Sequence, residues 1–60
     1  MKKGERYWEP DGTLIEVRRV CAKQPLWADI RVTQTNGATW TKRQPLVNGA
    51  FTFDATKAGE

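Results

Sequence analysis

Cys21 is the one thiol in a chain of 60 residues that contains neither histidine nor serine. Without an imidazole, every Ser–His or Cys–His arrangement within one chain is excluded, and so is the commonest metal ligand. A reactive thiolate would need cations to lower its pKa, and Arg18, Arg19 and Lys23 stand close to Cys21 in sequence. A small residue packed at a strand end explains the same cysteine without chemistry. A single cysteine forms no intrachain disulfide and no cysteine metal cluster. The carboxylates are no better organised. Glu16 reads as a cross-strand partner of Arg6 and Asp29 as one of Arg43, while Asp11 belongs to a turn. Glu5, Glu9, Asp54 and Glu60 show no ligand spacing. The five glycines are scattered and three sit in turns, so no phosphate-cradling loop exists. The expectation is a non-enzymatic protein with no cofactor and no metal. An active site assembled between subunits would leave no trace in the motifs of one chain.

What remains is aromatic and basic. Ten Lys and Arg against seven Asp and Glu give a net charge of +3, a bias that suits nucleic acid or an acidic protein. Guanidinium groups suit phosphate oxygens, and an indole offers a stacking surface. On that chemistry Arg18, Arg19, Lys23, Trp27, Arg31 and Arg43 are the candidate nucleic-acid contacts. Ordinary solvated charge is the plain alternative for the basic residues, and a lid over the end of the fold is that for Trp27. The competing function is a protein-binding or inhibitor module, self-association included. Its anchors would be Trp8, Leu14 and Trp27, because exposed aromatics concentrate binding energy in interfaces.

Two hairpins must position these residues. Asn36-Gly37 lies between runs rich in β-branched residues and Trp, and Gly accepts the left-handed turn conformation. A two-residue loop would set Arg31 against Lys42 and put Trp40 on the face away from Ile30 and Val32. A three-residue loop, Thr35-Asn36-Gly37, pairs Val32 with Trp40, Thr33 with Thr39 and Asp29 with Arg43, with Gly37 at a G1 bulge. That register is predicted. It places Ala28, Ile30, Val32 and Trp40 on an inner face, with Trp40 in the core. Trp27, Asp29, Arg31, Thr33, Thr39, Thr41 and Arg43 fall on the outer face. Pro10-Asp11-Gly12 makes a similar loop, pairing Trp8 with Leu14, Tyr7 with Ile15 and Arg6 with Glu16.

The strands expected in order are Glu5 to Glu9, Thr13 to Cys21, Leu26 to Thr35, Ala38 to Gln44 and Ala50 to Asp54. Ile15 and Val17 share a face that Val20 rejoins if a bulge or sharp bend falls at Arg18-Arg19; alternatively the strand ends there and no bend is needed. Pro45 ends the fourth strand. Residues 1–4 form a frayed basic leader and residues 55–60 a loose tail. No stretch keeps helical periodicity for two turns. The chain is thus one small all-β domain, a five-stranded antiparallel, strongly bent sheet or barrel. At this length about 60% of the unfolded surface is buried, so the large aromatics belong inside. The segments YWEPDGTLIEV, WADIRV, TNGATW and RQPL together resemble SH3-like barrels of the Tudor and KOW kind in strand order and turn placement. An OB-like barrel is the alternative. With no Tudor aromatic cage and no KOW signature, the resemblance implies no site residues. In size the chain also looks like small accessory proteins of bacteriophages and mobile elements. No signal peptide and no membrane span is apparent, and the lone cysteine fits a reducing cytoplasm.

Overall fold

The computed structural model describes residues 1–58, and the expectation of a loose end at 59–60 lies outside them. Five strands form one antiparallel sheet: β1 (Arg6–Trp8), β2 (Leu14–Cys21), β3 (Trp27–Thr33), β4 (Thr39–Pro45) and β5 (Thr56–Lys57). Their spatial order is β4-β3-β2-β1-β5. No helix occurs among the described residues, and none is long and apolar enough to cross a membrane.

The two hairpins close as their turn chemistry dictates. Arg6, Tyr7 and Trp8 pair with Glu16, Ile15 and Leu14. Asp29, Val32 and Thr33 pair with Arg43, Trp40 and Thr39. Gly12 and Gly37 both sit at φ +91°, a conformation glycine adopts without a Cβ clash. Asp11 accepts the Thr13 N–H at 2.9 Å, and Asn36 accepts the Ala38 N–H at 2.9 Å. Each short polar side chain thus replaces a main-chain acceptor that its turn lacks.

Between β2 and β3 the register shifts at Val17/Arg19: Val17 pairs with Ile30, Arg19 with Asp29 and Val20 with Ala28. Arg18 is the inserted residue. The bulge returns Val20 to the apolar face, and the strand runs on through it to Cys21 instead of ending at Arg18-Arg19.

The core lies on one side of the sheet. Ile15, Ala28, Ile30, Val32 and Leu46 are buried there, with Met1, Tyr7, Val20, Leu26, Phe51 and Phe53 packed against them. Because β4 and β5 lie at opposite edges, the chain from Leu46 to Ala55 must cross the sheet. It crosses on the apolar side and supplies the second layer of the core. Asn48 and Gly49 turn it with φ of 53° and 77°, inside a Val47–Ala50 bridge. Phe51 and Phe53 stack at 4.9 Å, and Phe51 meets Tyr7 edge-on at 5.1 Å.

Five expectations need correction. The expected strand over 50–54 is this crossing segment, whose aromatics pack downward instead of pairing. The fifth strand is Thr56–Lys57, inside the expected tail, bound to β1 with Tyr7 opposite Lys57. The leader is tied down: Gly4 donates to Val17 at 2.8 Å, and Glu5 accepts the Lys2 N–H at 2.8 Å. Trp40 keeps its predicted face but is 43% exposed, because β4 is an edge strand with no neighbour beyond it. The sheet is open, with β4 and β5 as its two edges, so the expected closure into a barrel is not formed.

Candidate nucleic-acid interface

Residues paired across a sheet share a face, so the registers define the side that the crossing segment leaves uncovered. Its rows, from one end, are Trp8–Leu14–Thr33–Thr39, then Arg6–Glu16–Arg31–Thr41, then Arg19–Asp29–Arg43, then Cys21–Trp27–Pro45. Among the described residues, four guanidinium groups therefore share these rows with two carboxylates, and Arg18 is exposed at the bulge beside them.

Asp29 is the hub of the third row. Arg43 donates to it through Nε at 2.9 Å and through a terminal nitrogen at 3.4 Å, and Arg19 reaches it from the other side at 3.3 Å. The Arg43 hydrogen bond, reinforced by the charge of Arg19, holds the Asp29 carboxyl below its ordinary range, and Asp29 in turn raises Arg43. The two arginines also flank Trp27. Arg43 stacks over its ring at 3.7 Å from the centroid, and Arg19 lies at 5.2 Å. The indole is thus a platform for guanidinium groups. A base stacking on Trp27 would share the ring with Arg43. Strand alternation places Trp27, Asp29 and Arg43 on one face and Arg19 there only if β2 bends, but a diagonal stack depends on side-chain directions that alternation does not specify.

In the next row Glu16 accepts from Arg31 Nε at 3.2 Å. Beside this pair, Lys3, Gly4, Glu16, Val17, Arg18 and Arg31 line a cleft of about 300 Å³. Lys3 and Arg6 are the candidates the sequence reading missed. Lys3 enters through the turn that bonds Glu5 N–H to the Lys2 carbonyl and Gly4 to Val17; Gly4 (φ +93°) next to Lys2-Lys3 was the available signal. Arg6 lies opposite Glu16 in the first hairpin, a pairing that accounts for its charge without a ligand.

Lys23 is exposed in the β2–β3 loop, apart from the arginine rows, and its carbonyl accepts the Cys21 thiol at 3.5 Å. Trp8 and Leu14 meet as cross-strand neighbours, with Trp8 46% exposed. Trp27 lies at the far end of the face, six positions along β3 from Thr33, which is roughly 20 Å at strand rise. The three proposed partner anchors therefore do not form one patch. Among the described residues no group of three His, Cys, Asp or Glu is gathered to hold a metal ion.

The chain matches no family model, no curated protein and no solved structure.

Proposed function

We propose that this is a non-enzymatic binding module whose uncovered sheet face contacts the phosphate backbone of nucleic acid. One observation carries the reading: Lys3, Arg18 and Arg31 line a single cleft, next to arginines held upright on Trp27. Among the described residues Glu16 is the sole carboxylate in the lining of that cleft. Guanidinium groups already fixed by an indole and a carboxylate lose little conformational freedom on meeting a phosphate, which favours binding. Binding of this kind tracks the backbone and is largely independent of sequence. With Arg43 stacked on Trp27, base stacking on that ring is not required, and duplex and single strands bind comparably.

The fold behind this function is read as an SH3-like arrangement left open between β4 and β5. The position of β1 between β2 and β5 and the crossing segment over the core support that likeness. A reducing cytoplasm as the compartment is supported by the single unpaired Cys21.

The alternative is a protein-binding module anchored by Trp8 and Leu14. Fluorescence anisotropy with labelled single- and double-stranded oligonucleotides over a salt series separates the two. About 3 phosphate contacts give a log–log salt slope near −3 on duplex, and Arg19→Ala with Arg31→Ala flattens it. Absence of binding at tens of micromolar (~10⁻⁵ M) in low salt rejects the nucleic-acid reading. A salt-insensitive complex with a protein from the source cell, lost in Trp8→Lys, would favour the alternative.

A further inference from the structure

We infer that β4 pairs with β4 of a second copy about a two-fold axis through Thr41, joining two sheets into one. The hydrogen-bond pattern of the hairpin fixes which main-chain groups are offered. Gln34 N–H donates to the Ala38 carbonyl at 2.8 Å, and Leu46 N–H donates to the Leu26 carbonyl at 3.0 Å. Antiparallel pairs alternate between bonded and non-bonded, and the register runs without a break between those two bonds. Trp40, Lys42 and Gln44 therefore bond inward to β3. Thr39, Thr41 and Arg43 point their N–H and C=O groups outward at an unpaired edge. Pro45 falls in the outward set, so its missing N–H removes no bond to β3 and ends the usable edge.

An unpaired edge seven residues long is a template for another strand, unlike the two-residue β5 at the other edge. The side chains of β4 select the occupant. With the axis at Thr41, Thr41 faces its own copy, and each Thr39 faces an Arg43. That makes six main-chain bonds. On the apolar side each exposed Trp40 faces the other copy's Lys42, an ammonium against an indole, twice over. Moving the axis to Lys42 sets two lysines against each other. Moving it to Trp40 sets Arg43 against Gly37 in the turn and loses two bonds. Lys42 thus opposes other pairings, as inward charges on edge strands do, while fitting this one. Because the axis is perpendicular to the sheet, both arginine faces lie on the same side. The contact is short, so association is weak, with a dissociation constant on the order of 10⁻⁴ M.

Sedimentation equilibrium of the full chain without nucleic acid, over a range of concentration, tests this. The wild type should show a reversible monomer–dimer equilibrium. Thr41→Pro removes an outward N–H and no β3–β4 bond, and should weaken the dimer by roughly tenfold or more. Trp40→Lys, at a half-exposed site, should do the same by facing lysine with lysine. Adding Lys42→Trp to Trp40→Lys restores the pairing and should restore the dimer. A wild type that stays monomeric overturns the inference, as does a dimer indifferent to Trp40→Lys.

Discussion

Asp29 decides how much of the basic face is available, because one carboxylate holds two arginines. Replacing it by Asn removes the charge and leaves an acceptor in place, so Arg19 and Arg43 stay near Trp27 with more of their field free. Asp29→Asn should bind duplex more tightly and steepen the log–log salt slope by about 1; weaker binding would mean that Asp29 serves a contact of its own. Glu5 acts on stability. Lys57, at 2.8 Å, and the Lys2 N–H lower its pKa from an ordinary 4.5 to about 2. A pKa lower in the folded than in the unfolded chain favours folding at pH above 4.5, and that contribution is lost as pH falls toward 2. Glu5→Gln should therefore show a smaller drop in Tm than the wild type between neutral pH and midway between those values. Equal drops would show that the Glu5–Lys57 pair does not couple to folding.

At the scale of elements, the two turns look alike in sequence and differ in surroundings. A Cβ on Gly12 would meet Thr35 Cγ2 at 2.9 Å, whereas one on Gly37 would meet nothing within 4 Å. Both substitutions strain a positive φ, costing about 1 kcal/mol or more, and Gly12→Ala adds a clash between neighbouring loops. Denaturant titration should rank Gly12→Ala as the less stable. A similar contrast holds across the sheet. Ile30 is 0% exposed at its centre, so Ile30→Ala should cost about 2–5 kcal/mol. Trp40→Ala, on the edge strand, should cost clearly less. Both hairpin registers were legible in the sequence because turn residues and their pairing partners are close along the chain. The bulge was legible only as one of two options, because a strand ending at Arg18-Arg19 also accounts for Val17 and Val20 falling out of phase. Phe51 and Phe53 misled because alternate aromatics look alike in a strand and in a segment crossing a core. Nothing in Thr56–Lys57 marks a strand; its partner, β1, lies nearly the whole chain away. The arginine face was legible in part, from alternation, but not the stack on Trp27 or the arrival of Lys3.

For the whole molecule, the single crossing segment divides the sheet into a sealed face and an open one. The sealed face carries the core; the open one carries the arginines, with Trp8 and Leu14 at one end. The proposed function requires that nucleic acid touch the open face and nothing else. A ¹H–¹⁵N NMR titration of the wild type with a short duplex at low salt measures this residue by residue. Shifts should be concentrated at Lys3, Arg6, Arg18, Arg19, Arg31 and Arg43 and at the Trp27 indole N–H, with Ile15, Ile30 and Phe51 unmoved. Shifts confined to the inner side, or none at saturating duplex, would contradict it.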